Sequence, residues 1–362
     1  MITGNKGEWS EIYALFKLLG DKQVFAGNAD LNKIESLFYP IIRILRTEKT
    51  DNYNYTINNN DDIVIISENG TETMRIAVSE FSKQAVKLLT EIKTSTGSAF
   101  SIPETECFMN SVHCQTLKAK SKDKADIRIV IHDLKTNIQS LLGFSIKSQL
   151  GNPSTLLNAS ASTNVIYKIV ESVINPTDLE RINSISTSSK IKDRIEEIGK
   201  LKKALHYFDF DSGVFKNNLV LIDSCLPRII AEVVKIFYSS NLSSVKEIVE
   251  KLEKDNPLKF DTQYSHKFYE YKIKRFLTDI ALGMMPATVW TGIYDATGGY
   301  LVVKEDGNVL CYHIYNKNEF ENYLFANTKL ETPSSTRHGF GIIELINEQQ
   351  IFKLNLQIRF IS

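Results

Sequence analysis

Hydrophobic positions near the N-terminus recur at helical spacing. Trp9, Ile12, Leu15, Phe16 and Leu19 share one face, so residues 7–19 predict an amphipathic helix with that face buried. Asp30 reads as the N-cap of a second, short helix that Tyr39-Pro40 ends, with a strand starting in the apolar run 41–45. The stretch 51–62, dominated by Asn, Tyr and Asp, leads into Ile63-Val64-Ile65-Ile66, an Asn69-Gly70 turn and the run 74–78, which together predict a hairpin. Ser79 caps a helix reaching about Lys93, with Phe81, Ala85, Leu88, Leu89 and Ile92 inward, and Pro103-Glu104 opens another. Strands follow at 127–131 and, about a dozen residues on, at 143–148.

The later chain changes character. Residues 190–208 read as strongly helical, 226–239 and 243–252 as amphipathic helices, and 268–282 as another. Gly298-Gly299, the run 300–304, the Asp306-Gly307 turn and 309–315 form a hairpin, and 351–361 is strand-like. A chain of 362 residues accommodates two domains. The expected division is 1–170, an α/β core with a mixed sheet flanked by helices and the N-terminal helix, and 171–362, an added helical and β-rich region.

Composition removes several classes. No apolar run approaches the ~18–20 residues a membrane span requires, and the N-terminus lacks a secretory pattern, so a cytoplasmic location away from membranes is expected. The four cysteines are few and scattered, which argues against a disulfide framework, and Cys107, His113 and Cys114 have no second pair to complete a zinc site. With 43 basic and 43 acidic residues the net charge is zero, so only local clustering can indicate a polyanion partner.

One constellation suits phosphodiester hydrolysis, which needs an activated water, a divalent cation at the phosphate and a countercharge. Asp126 heads a strand, and Ser145 and Lys147 share a face of the next, with Gln149 continuing it. Asp126 would ligate the metal, and Lys147 would orient or activate the water. Ser145 stands where a second carboxylate is usual. Glu8 and Glu11, three residues apart on the N-terminal helix, can supply the missing acid, Glu11 being the first choice as a second metal ligand beside Asp126; both equally suit the positive end of a helix. Asp133 competes for the aspartate role, although its place before a turn favours hairpin capping.

Other residues could hold nucleic acid. Lys118, Lys120, Lys122 and Lys124 alternate just before Asp126 and would project to one side of an extended segment. The polar turn after Lys147 offers Asn152, Ser154, Thr155 and Asn158 as short donors and acceptors. Residues 332–341 read as a flexible polar loop flanked by strands; in it Arg337 is the candidate guanine reader, with His338 beside it.

The strings GEWSEIYALFKLL (7–19), GFSIKSQLGNPSTLLNA (143–159), GGYLVVK (298–304) and STRHGFG (335–341) together resemble the HpaII restriction endonuclease family, over essentially the whole length. The resemblance implies a PD-(D/E)xK fold and a magnesium-dependent enzyme that cuts double-stranded DNA at a short, CCGG-like palindrome, with a cognate DNA methyltransferase as its functional partner. It carries Asp126 and Lys147 into the catalytic site, with Glu11 and Gln149; Ser145 is where the acidic signature departs. A palindrome cut on both strands favours a two-fold homodimer. The alternatives are another nuclease of the same core, acting in repair or on DNA structure, and a DNA-binding protein with a degraded active site.

Overall fold

The computed structural model describes residues 1–48, 51–118, 125–134 and 136–361. The chain runs through α1 (Lys6–Asp21), β1 (Gln23–Gly27), β2 (Lys33–Glu48), β3 (Asp51–Asn58), β4 (Ile63–Glu68), β5 (Thr71–Ala77), α2 (Val78–Thr94), α3 (Pro103–Ser111), β6 (Ile127–Asp133) and β7 (Ile138–Ser148). It continues with β8 (Thr155–Leu157), β9 (Asn164–Val170), α4 (Pro176–Asn183), α5 (Lys190–Lys200), β10 (Ala204–Phe210), α6 (Gly213–Ile222), α7 (Leu226–Ser239), α8 (Val245–Asp255) and α9 (Phe268–Leu282). The last elements are β11 (Gly299–Val303), β12 (Val309–His313), α10 (Lys317–Ala326), β13 (Thr328–Leu330), α11 (Ser335–His338), β14 (Ile343–Ile346), β15 (Gln349–Asn355) and β16 (Ile358–Phe360). No helix among the described residues is long and apolar enough to cross a membrane.

Two compact units result, one of residues 1–154 and 294–323, the other of 155–293 and 324–361. The sequence leads one to expect a single cut after residue 170. Instead the chain leaves the first unit after Ser154 and comes back to it, because the β11–β12 hairpin completes that unit's sheet. This sheet is mixed and has nine strands in the order β1-β12-β11-β7-β6-β2-β3-β4-β5. β11 runs parallel to β7 and β1 parallel to β12, whereas β6 and β7 are an antiparallel hairpin. β2 is long enough to pair β1 through its first half and β3 and β6 through its second, which closes six strands into a ring of pairings.

The helix predicted over 7–19 is present as α1. Trp9, Ile12, Phe16 and Leu19 are fully buried, and Asn5 and Glu8 cap the first turn reciprocally. The short helix expected after Asp30 is not. Asn28 accepts hydrogen bonds from the backbones of Asp30 and Asn32, making a tight turn, and residues 33–48 are strand β2. Pro40 interrupts no ladder there: it lies opposite Gln23 where β2 changes partners, and the next N–H, of Ile41, reaches Lys22 O at 2.8 Å. Residues 51–58 form a further strand, β3, since Tyr53, Tyr55 and Ile57 alternate inward among polar neighbours. The Asn69-Gly70 turn has both residues at positive φ, as a two-residue hairpin demands.

In the second unit, β10-β9-β15-β14 make an antiparallel sheet and β13-β16-β8 a smaller one. The helix expected over 190–208 stops at Lys200. Lys202 turns the chain with φ of 59°, and 204–210 becomes β10, pairing β9 from Ala204 opposite Val170 and burying Leu205 and Phe210. Helices α7, α8 and α9 lie where their periodicity places them; the buried Tyr167 of β9 donates to Ala231 O of α7 at 2.6 Å.

Candidate active site

Helix α1 gives its two acids opposite characters. Glu8 belongs to the capping box, and its carboxyl is held below the usual range, first by the Asn5 N–H and then by Lys118, whose Nζ lies 3.2 Å away. Glu11, one turn on, has no such bonds among the described residues. Burial, then the charge of Asp126, pushes its carboxyl up to about 8, against the pull of Lys118 and Arg46. The favourable helix-end explanation therefore fits Glu8 and leaves Glu11 unexplained.

Asp126 immediately precedes β6, its N–H bonded to Phe144 O of β7. Its Oδ2 accepts from the Ile146 N–H at 2.7 Å and from the Ser145 hydroxyl at 3.1 Å. Ser145 thus orients the aspartate. Lys147 lies on the same face of β7 as Ser145. Parallel pairing sets Tyr300 of β11 opposite Ser145, and the Lys147 ammonium sits 4.9 Å from the centre of the Tyr300 ring. Burial lowers the lysine's pKa, while Asp126 and Glu11 oppose the change. Both carboxylates are therefore within electrostatic reach of the amine. Gln149 continues β7 and spends its N–H on Val303 O at 2.9 Å. Asp133, at the far end of β6, accepts from the Thr136 N–H across the turn.

On the other face of β7 a cavity of about 700 Å³ opens beside α1, lined by Glu8, Glu11, Lys118, Ser148, Asn152 and Ser154 among others. Ser10 and Ser148 hydroxyls meet at 2.8 Å, and Ser148 also accepts from Leu150 N–H, fixing the turn after β7 against the helix. Of the expected backbone contacts, Lys118, Asn152 and Ser154 thus share one wall with Glu11. Lys120, Lys122 and Lys124 lie outside the described residues. Thr155 and Asn158 belong to the second unit, in β8 and the exposed stretch after it. Arg337 and His338 also belong there, in the helical turn α11, where a wholly irregular loop was expected; Ser334 caps that turn by accepting the Arg337 N–H. Arg337 is exposed, and the His338 carbonyl accepts from Asn164.

Sequence reading missed two supports of this site. Arg46 and Glu48 of β2 form an ion pair with side chains 5% and 1% exposed. Both hold Thr116, whose carbonyl accepts from Arg46 and whose hydroxyl lies 2.7 Å from Glu48 Oε2 and from Lys118 O. The pair thereby fixes the backbone that carries Lys118 to the cleft. Tyr300 was visible only as part of an apolar strand after two glycines. Its partnership with Lys147 depends on a parallel pairing across more than 150 residues, which no local pattern announces.

Comparison with known proteins identifies the family. The sequence profile described as HpaII restriction endonuclease matches residues 5–360. The Type II restriction enzyme HpaII of Haemophilus parainfluenzae is 49% identical over 360 residues, covering 99% of each chain. No solved structure matches. A match along nearly the whole length, spanning α1, the β6–β7 hairpin, the returning β11–β12 hairpin and the Arg337 segment alike, establishes that the chain belongs to the HpaII restriction endonuclease family.

Proposed function

We propose that this protein is a type II restriction endonuclease of the PD-(D/E)xK kind, which binds a short, CCGG-like palindrome in double-stranded DNA and hydrolyses its phosphodiester bonds with magnesium. The observation that supports the reading is that Asp126, Lys147 and Glu11, from separate elements, lie within electrostatic reach of one another. Family membership supplies the DNA substrate. Two such chains, related by a two-fold axis, would match the symmetry of a palindrome, and a cognate methyltransferase would protect the host's own sites.

The donor set fits magnesium. Among the described residues no three His, Cys, Asp or Glu side chains gather into a metal cage. Magnesium does not need one, since it keeps several waters and binds through one or two carboxylates plus a phosphate. Asp126 and Glu11 would supply two hard oxygen ligands; burial, then the charge of Asp126, raises the Glu11 carboxyl, and a cation between the two acids would relieve that cost. When bound, the metal would polarise the scissile phosphate and lower the pKa of a bound water. Ser145 and the Ile146 N–H keep Asp126 oriented through Oδ2, and among the described residues no bond engages Oδ1, the oxygen that would take the ligand role. Lys147 would hold the attacking water or offset charge growing on the phosphate, its amine made easier to deprotonate by burial. Gln149 would support that wall. Lys118, Asn152 and Ser154 would position the backbone along the cleft, and Arg337 would pair with guanine O6 and N7, with His338 beside it.

Digestion of unmethylated phage DNA with and without magnesium, by the natural protein and by Asp126→Ala, with fragment ends sequenced, tests the reading. Discrete magnesium-dependent fragments lost in the variant are expected. Intact DNA with retained binding would favour a DNA-binding protein without turnover, the reading that Ser145 keeps open. Undiminished cutting by Asp126→Ala would move the aspartate role to Asp133.

A further inference from the structure

We infer that the second unit contains a preformed site for backbone phosphates of DNA, between the start of α5, the turn joining α7 to α8, and residues 332–336. This rests on the DNA-cutting reading above and assigns that activity a grip of its own. A cavity of about 520 Å³ is enclosed by three segments distant in sequence, 188–192, 237–243 and 332–336. Hydroxyls dominate its wall, among them Ser188, Ser240, Ser243, Thr332 and Ser335. Its charged lining residues are Lys190 and Lys192, and no Asp or Glu lines it. The nearest carboxylate along the chain, Asp193, is engaged by the hydroxyls of Thr187 and Ser189.

Among the described residues neither lysine forms an ion pair, so no carboxylate neutralises the ammonium groups at this wall. Lys192 Nζ instead reaches across the rim to Asn241 Oδ1 at 2.6 Å. A cavity that offers short hydroxyl donors and two uncompensated ammonium groups is complementary to phosphodiester oxygens, which take charge-assisted bonds from such donors.

The wall is fixed before any ligand arrives. Leu330 N–H donates to Ser243 O at 2.8 Å, tying the strand before Thr332 to the α7–α8 turn. Beyond Arg337, the buried Arg194 of α5 donates to Gly341 O and also reaches the carbonyls of Asn183 and Ile185. Gly341 adopts φ +83°, and a Cβ there would lie 2.9 Å from Ile191 Cγ1, so α5 and this turn are pressed together. Both ends of the segment bearing Arg337 are thus anchored to the frame of the cavity. Phosphates held here would set the register in which Arg337 meets a base edge, since backbone contacts position and base contacts specify.

The test is fluorescence anisotropy with the full-length protein, calcium replacing magnesium, on one duplex carrying the cut sequence and one with it scrambled, over a range of salt. The double variant Lys190→Ala/Lys192→Ala is expected to bind both duplexes about tenfold more weakly near physiological salt, with a plot of log affinity against log salt shallower by roughly 2. The ratio between duplexes should hold within about twofold, because phosphate contacts carry no sequence information. Lys190→Arg/Lys192→Arg should restore the slope, which separates lost charge from a damaged fold. Unchanged affinity and slope, or a loss confined to the cut sequence, would overturn the assignment. A natural protein that binds neither duplex and cuts no DNA would sink the endonuclease reading; binding indistinguishable between natural protein and variant sinks this site alone.

Discussion

The cleft beside α1 and the cavity beside α5 are of comparable volume, about 700 and 520 Å³, yet their walls follow different electrical plans. Around the first, acids and bases are close enough to shift one another: Glu8 and Glu11 in its wall are held down and pushed up to about 8 respectively, and Lys147, on the opposite face of β7, is lowered by burial. The second has neutral hydroxyls and two lysines, with no carboxylate in the lining. Coupled titratable groups suit a place where a cation is held and protons move; fixed donors without acids suit one where an anion is gripped and nothing reacts.

The largest expected effects test whether chemistry is confined to the first plan. Asp126→Ala and Lys147→Ala should each lower the cleavage rate by about 10³-fold or more while leaving DNA affinity within a few fold, as steady-state digestion and anisotropy would measure. If instead they weaken binding and spare the rate of bound enzyme, the cleft is a second anion grip and the contrast collapses. Next in size is a stability difference. Glu48→Ala strands the buried Arg46 without its acid and should cost about 3–5 kcal/mol in urea unfolding, whereas Lys190→Ala, at a partly buried position with no ion pair among the described residues, should stay within about 0.5 kcal/mol. Equal losses would mean that the second cavity is also held together by its charges.

What the sequence disclosed follows the same division between local and distant information. Periodicity placed α1, α7 and α9 because one helical face of each is buried, and Gly-bearing turns placed the β11–β12 hairpin. It placed the strand at 41–45 but failed at 33–40, 51–58 and 204–210, which become strands because neighbours pair with one edge or both. At the site, Asp126, Lys147 and Glu11 could be nominated from spacing and chemistry. Their actual relations could not: Ser145 as the residue that orients Asp126, and Tyr300 as the ring over Lys147, depend on strand register. Arg46 and Glu48 are buried opposite Tyr53 and Asp51 of β3, a pairing that no local pattern announces.

Tyr300 sharpens the comparison at a smaller scale. Tyr300→Leu removes the ring that confines the lysine, with an expected fall in turnover of about tenfold at unchanged KM, while Tyr300→Phe keeps the ring and most of the rate. A pH–rate profile displaced in the Leu variant and not in the Phe variant would show that the ring acts through Lys147. A raised KM in both would point to a direct DNA contact by the hydroxyl.

The smallest effect concerns protons on Glu11, and its sign can be worked out. The folded protein holds this proton more tightly than the unfolded chain, with a pKa of about 8 against an ordinary 4.5. Between those values folding takes up a proton, so stability is greatest below about pH 4.5 as far as this group is concerned, falls as pH rises through the window, and levels off above 8. Solvent screening of a partly exposed carboxyl reduces the full linkage to about 1–2 kcal/mol. Glu11→Gln keeps a neutral group of the same shape, so melting temperatures of the two proteins should coincide near pH 5 and separate near pH 8, the variant being higher by a few degrees. Magnesium favours the carboxylate and should therefore raise the natural protein's melting temperature more at pH 8 than at pH 6, and that difference should vanish in Glu11→Gln. The second cavity has no acid to titrate, so Lys190→Ala/Lys192→Ala should leave the whole pH dependence unchanged. A slope that survives Glu11→Gln would place the titrating carboxyl elsewhere and remove the main electrical distinction between the two walls.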